Sequence, residues 1–151
     1  MKKISAIGGL LKKIYRIYSQ ELLSLLQEKG FTDLRPSFLE ILTYLAEYEG
    51  SSIKHIGVAC GLKKQTMTSH LNELEKRGYI QRKLSETDKR EQNVFLTEYG
   101  EKFKFNLLDV INELEKKYIR KMGEVELDRI QFVLENLYKE MSQGPQTSMQ
   151  L

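Results

Sequence analysis

Among 151 residues there is one cysteine, Cys60. No internal disulfide framework can form, and a reducing cytoplasm is the expected compartment. Only two prolines occur, with ten glycines, which leaves no room for long proline-rich linkers. No apolar stretch approaches the ~20 residues that a membrane-crossing helix needs. The first residues open basic, as an export signal does, but Lys12, Lys13 and Arg16 arrive before any long apolar core, so no export signal is expected. Gly-rich phosphate loops, nucleophile elbows and paired-histidine metal motifs are missing too, so enzymatic activity is not expected. His55, Cys60 and His70 follow at spacings that one helix face cannot gather, and no metal or cofactor is expected.

What is present is the composition of a soluble globular chain, 40% hydrophobic and 30% charged. A chain of this length buries roughly 68–70% of its unfolded surface, enough for one domain without a metal. The net charge of +3 is unevenly spread. Residues 1–20 carry Lys2, Lys3, Lys12, Lys13 and Arg16 and no acid, and residues 54–93 hold nine bases against five acids. A locally basic middle suits a surface that meets phosphates, though solvated helix faces also have such balances.

Apolar residues at Ile4, Ile7, Leu10, Leu11, Ile14, Ile17, Tyr18, Leu22, Leu25 and Leu26 predict a long amphipathic helix to about Lys29, closed by Gly30. Pro36 starts a second helix with Phe38, Ile41, Leu42 and Leu45 as its buried stripe. A serine in Gly50-Ser51-Ser52 caps a short third helix carrying Ile53, Ile56 and Ala59 and closing before Gly61. A fourth runs from Lys63 to Arg77 with Met67, Leu71 and Leu74 inside. The period then shortens: Tyr79–Leu84 and Val94–Thr97 read as strands around a polar loop, Ser85 to Asn93. Thr97 caps a helix to Met122 through Phe103, Leu107, Ile111, Leu114 and Tyr118. Gly123 precedes a last helix with Leu127, Ile130, Val133, Leu134 and Leu137. The expected fold class is mainly α with a small β-hairpin: a helix-turn-helix followed by a wing. On the fourth helix, Gln65, Ser69, Asn72 and Lys76, flanked by Thr66, Thr68, Glu73 and His70, lie opposite the apolar stripe. Short hydrogen-bonding side chains of this kind reach base edges and phosphates.

Here the sequence resembles a known family. The run Ser52 to Thr68 is followed by Leu74-Glu75-Lys76-Arg77-Gly78-Tyr79-Ile80-Gln81-Arg82, then Asp88-Lys89-Arg90, then Leu96-Thr97-Glu98-Tyr99-Gly100. This ordered set is similar to the MarR family of winged-helix transcriptional regulators, closely over about residues 34–105. The resemblance implies a cytoplasmic regulator of transcription, a repressor, acting as a homodimer on double-stranded DNA with a pseudo-palindromic operator. It implies one domain over 1–142, with dimerisation helices in 1–33 and 98–142 and a DNA-binding lobe in 34–97; the residues from Ser142 on, with Gly144, Pro145 and Met149, themselves read as a disordered tail over 143–151. Long helices that are apolar on one side fit pairing between two copies.

By position, the resemblance makes Gln65, Thr66, Thr68 and Ser69 the base- and phosphate-reading candidates, with Lys63 and Lys64 at the helix start; Asn72 joins the DNA-binding candidates from the outward polar face of the helix. Relatives often carry Ser where Lys63 stands and Arg where Ser69 stands, so their base preference does not transfer. In the wing, Asp88 is expected to fix the loop by pairing with a nearby base such as Arg90, while Lys89 or Arg90 reaches the minor groove or its phosphates. Some members bind small aromatic acids between the dimer helices and the DNA-binding lobe; Tyr15, Tyr18, Phe38 and Phe103 are candidates for such a pocket, and equally for core. Peroxide-sensing members carry their cysteine in the N-terminal helix, where this chain has none, so Cys60 is expected to pack as a small core residue. The competing reading is a winged-helix module whose fourth helix meets a protein partner.

Overall fold

The computed structural model describes residues 1–143. Nearly all of the expected tail, from residue 144 on, lies outside the described residues. Helices and strands follow in the expected order: α1 (Lys3–Glu28), α2 (Pro36–Glu47), α3 (Ile53–Cys60), α4 (Lys64–Lys76), β1 (Ile80–Leu84), β2 (Gln92–Leu96), α5 (Glu98–Met122) and α6 (Glu124–Ser142). The chain divides into two compact units, Met1–Val110 and the segment from Ile111 onward.

The core of the first unit is built from the stripes that the periodicity marks. Leu22 and Leu26 of α1, Phe38, Leu39, Ile41, Leu42 and Leu45 of α2, and Met67, Leu71 and Leu74 of α4 are all buried. The first two-thirds of α1 is different. Ile4, Ile7, Leu10, Leu11, Ile14 and Ile17 lie exposed, so only the C-terminal end of that long apolar stripe packs within its own chain.

Between α3 and α4 the chain turns through Gly61, whose backbone is left-handed (φ 66°). A side chain there would carry the usual penalty of that region, which glycine escapes. Ala59, expected on the buried stripe of α3, is exposed instead, and Gly57 is buried. The reason is close packing. A Cβ on Gly57 would stand 3.2 Å from Met67 Cγ, so α4 approaches α3 over the glycine. At the other end of α3, Ser52 Oγ accepts a hydrogen bond from the His55 backbone N–H at 3.1 Å. Ser52→Ala should therefore cost about 1 kcal/mol, the usual worth of such a cap. A thermal melt unchanged by the substitution would show the cap to be idle.

The hairpin β1–β2 is antiparallel in the register Ile80↔Leu96 to Leu84↔Gln92. Its second strand begins at Gln92, two residues before the expected Val94, because Gln92 and Asn93 pair with Leu84 and Lys83 across the hairpin. On the far edge, the Gly50 N–H donates to Val94 O and the Val94 N–H donates to Ser51 O, both at 2.9 Å. Ser52 bridges Asn93, and Glu49 Oε2 accepts from the Leu96 N–H at 3.0 Å. The segment read as a capping loop thus also covers an otherwise open sheet edge.

Behind the wing, Phe31, Tyr79, Tyr99 and Phe103 form an aromatic cluster. Tyr79 and Phe31 each meet Phe103 edge-on, at 5.5 and 5.3 Å between ring centres. The Tyr79 hydroxyl donates to Asp33 Oδ1 at 2.8 Å. Burial, together with that bond, pushes its phenol far above the ordinary range. Thr97 Oγ1 donates to Gly78 O and accepts from the Gly100 N–H, starting α5 against the end of α4.

In the second unit, α6 has no fully buried side chain. Of its expected stripe, Leu127, Leu134 and Leu137 are half-buried while Ile130 and Val133 are exposed, together with Val125, Phe132 and Tyr138. This is an amphipathic helix whose apolar side a single chain leaves largely open.

Candidate nucleic-acid interface

The α4 surface is positioned by its own buried stripe. With Met67, Leu71 and Leu74 anchored, the opposite side of a 3.6-residue helix must face outward. Lys63, Lys64, Gln65, Thr66, Thr68, Ser69 and Asn72 are accordingly all exposed. Lys63 occupies the N-cap position without a side-chain cap, so the first N–H groups of α4 stay open beside two lysines. A helix start of that kind attracts anions through its oriented N–H dipoles. The Thr68 hydroxyl donates back to Lys64 O at 3.0 Å. That bond spends its proton and leaves its oxygen as an acceptor.

His70 departs from the outer flank. Its ring packs edge-on against Phe38 with centres 5.1 Å apart, and burial, aided by nearby Arg35, lowers its pKa. Glu73 is likewise occupied, receiving Arg77 Nε at 3.3 Å. The polar face available to a partner is therefore narrower than the sequence suggests.

The wing is built around Ser85 and Asp88. Buried Ser85 accepts from the Thr87 and Asp88 backbone N–H groups at 3.3 Å each, and its own N–H donates to Glu91 O at 2.9 Å. Asp88 Oδ1 then accepts from the Arg90 N–H at 3.0 Å and lies 3.4 Å from Arg90 Nε. Asp88 pairs with Arg90 as expected. An ion pair this exposed adds little stability, so its consequence is geometric. The Arg90 side chain is 92% exposed at the loop tip, and Lys89 stands exposed beside it. The structural weight of Ser85 was not apparent from the sequence, although Ser85-Glu86-Thr87-Asp88 has the hydroxyl-then-acid spacing of a side-chain-closed turn.

A second group missed in the sequence is Arg82 on β1. Its Nη2 donates to Asn72 Oδ1 at 2.8 Å and to Glu75 Oε1 at 2.6 Å. The Arg82 hydrogen bond and charge hold the Glu75 carboxyl below its usual range. Wing strand and α4 surface are thereby tied to one another. The only sequence signal was the recurrence of Glu75 and Arg82 in the resemblance pattern, which carries no statement of contact.

The four aromatic pocket candidates are not brought together. Phe38 is fully buried between Arg35, Arg77 and His70. Phe103 is enclosed by Phe31 and Tyr79. Tyr15 and Tyr18 lie on the open surface of α1 with ring centres 6.1 Å apart. Cys60 is half-buried rather than in the core proper. Its thiol is pushed up to about 11 by burial and by the Glu40 charge, the reverse of an activated cysteine. Among the described residues no group of His, Cys, Asp and Glu is placed to hold a metal ion, and no helix is long and apolar enough to cross a membrane.

Comparison with known proteins meets this geometry at the lobe. Residues 32–91 match the model of the MarR family. The HTH-type transcriptional regulator TtmR of Methylorubrum extorquens is 38% identical over 65 residues, which is 43% of this chain and 33% of that protein. The chain thus aligns with about a third of that curated relative. In fold, a MarR transcriptional regulator from Methanosarcina mazei superposes with a TM-score of 0.78 at 20% identity, over 90% of this chain and 96% of the other. MepR of S. aureus in its DNA-binding conformation superposes with a TM-score of 0.73 at 21% identity, over 89% and 98%.

Proposed function

We propose that this chain, whose residues 32–91 match the MarR family model, is a winged helix-turn-helix regulator of that family and acts as a homodimeric repressor of transcription on a pseudo-palindromic operator. The observation that carries the proposal is the pairing of two outward features on one lobe: the polar start of α4 and the wing tip with Arg90. The α4 side chains from Lys63 to Ser69, with Asn72, read base edges and phosphates in the major groove. Lys89 and Arg90 meet the adjacent minor groove or its phosphates. Residues 34–97 serve as the DNA-binding lobe, and residues 1–33 with 98–142 as the dimerisation helices. The bare apolar stripe of α1 supports that assignment, since an apolar surface of this extent normally finds a partner. Two-fold pairing sets recognition helices into successive major grooves, about 34–36 Å apart. A small aromatic effector releases the operator, and its candidate contacts are Tyr15 and Tyr18, the two of the four aromatic candidates that remain open.

The test is selection of bound duplexes from a random pool at near-physiological salt. A pseudo-palindrome with half-sites one helical turn apart is the expected product. Affinity should fall with salt at a slope near −0.9 per phosphate neutralised. Salt-independent retention of no particular sequence would instead favour a protein-binding module. A promoter fused to the selected operator should rise in output when the chain is withheld; a fall would make it an activator.

The α4 face and the wing tip should separate on substitution. Ser69→Ala is expected to change base preference at one position of each half-site. Arg90→Ala should weaken all duplexes alike and reduce the salt slope by about 0.9 for each phosphate that is no longer neutralised. Equal, sequence-independent losses from the two variants would refute this division of labour.

A further inference from the structure

The contact between Arg82 and Asn72 bears on which base the α4 face reads. Asn72 is exposed in line with Gln65 and Ser69, one helix face at spacings of four and three. Its amide has an acceptor end and a donor end, and in the free state either end can face a base. Here the choice is made by chemistry. A guanidinium has only donors, so the end of the amide that meets Arg82 Nη2 at 2.8 Å has to be Oδ1. The same nitrogen is bonded to Glu75 Oε1 at 2.6 Å, and the Arg82 side chain is only 18% exposed, so the guanidinium is held from both sides. Nδ2, the other end of a planar amide, is left without a hydrogen bond among the described residues.

We infer that Arg82 is a positioning residue for sequence specificity: by holding Asn72 Oδ1 it fixes the amide with Nδ2 as the end left to face DNA. A free asparagine prefers adenine, where Oδ1 accepts from N6 while Nδ2 donates to N7. With Oδ1 tied to Arg82, the amide is not free to turn into the bidentate adenine pairing, and Nδ2 is matched to an edge that offers acceptors. Guanine N7 and O6 or thymine O4 fit best; adenine N7 also accepts, but the N6 donor beside it does not match a second donor. The inference rests on α4 reading DNA as proposed above, and adds a residue of the wing strand to the determinants of base choice.

Duplex selection with the intact chain, three new variants and Ser69→Ala tests it. In the wild type, one base pair per half-site should show guanine or thymine, favoured on the order of tenfold, and Asn72→Ala should erase that preference alone. Asn72→Asp keeps an acceptor for Arg82, and with it the fold, but turns an acceptor oxygen outward. The preferred base at that position should then invert, guanine to cytosine or thymine to adenine. Arg82→Leu, checked for an unchanged melting profile, should admit adenine there. Adenine at the Asn72-dependent position of the wild type overturns the inference. So does an Asn72→Asp preference identical to wild type, or an Asn72→Ala preference unchanged everywhere while Ser69→Ala still shifts its own position. That last pattern would leave the DNA-reading proposal standing. Enrichment of no sequence by any form would bring down both.

Discussion

Ile14→Glu is expected to turn the proposed dimer into a monomer and to lower affinity for the selected operator by at least about a hundredfold, the scale of avidity lost when two linked sites act singly. Ile14 is 59% exposed in the isolated chain and lies midway along the bare stripe of Ile4, Ile7, Leu10, Leu11 and Ile17. It takes no part in the core of the first unit, which uses Leu22 and Leu26 further along α1. A charge at Ile14 therefore leaves the folded monomer intact. In a two-fold pairing through α1, the same substitution appears on both sides of the interface. Two carboxylates confined in an apolar contact cost several kcal/mol unless they are protonated or the contact opens. Light scattering gives the mass and duplex titration gives the affinity. A variant that keeps the dimer mass would remove α1 from the interface and place the dimer contact elsewhere.

Gly100→Ala should destabilise the fold by about 3 kcal/mol or more, at the upper end of what overpacking normally costs. The sign is informative because helix propensity alone favours alanine over glycine by roughly 1 kcal/mol. A Cβ at this position would run into the backbone oxygen of Tyr79 and stand 3.1 Å from Leu96 Cβ. The carbonyl cannot easily yield. It accepts the Thr97 N–H at 3.1 Å, and its own side chain is locked in the aromatic cluster against Phe103 and Tyr99. Relief has to come from lifting the first turn of α5, which also carries the Thr97 cap. A lower urea midpoint at unchanged slope is the expected reading. A gain in stability would mean that the start of α5 gives way without cost.

The same close approach explains why the pattern Leu96-Thr97-x-x-Gly100 could be recognised without being understood. As a sequence it is a spacing. In the structure Leu96 ends the wing strand, Thr97 closes the corner onto Gly78, and Gly100 lets the α4–β1 backbone pass under the helix. The wing tells a similar story. The pairing of Asp88 with Arg90 followed from proximity in the chain, whereas the burial of Ser85 beneath both needed the hairpin to be closed first.

From sequence alone came the order and type of the elements, the buried stripes of α2 and α4, a capping serine at 51 or 52, the cap at Thr97, and the outward face of α4. Each depends on residues three or four apart, where backbone geometry ties position to direction whatever else the chain does. Tertiary structure alone decided how much of that face is available and in what chemical form. Asn72 is oriented by Arg82 ten positions away, and His70 is drawn inward by Phe38. Ala59 is left outside because α4 closes over Gly57, and the edge of β2 is covered by residues 49–52. Hydrogen bonds and close approaches between distant segments impose no periodicity on the residues that make them. They become determined only when packing has placed the segments side by side.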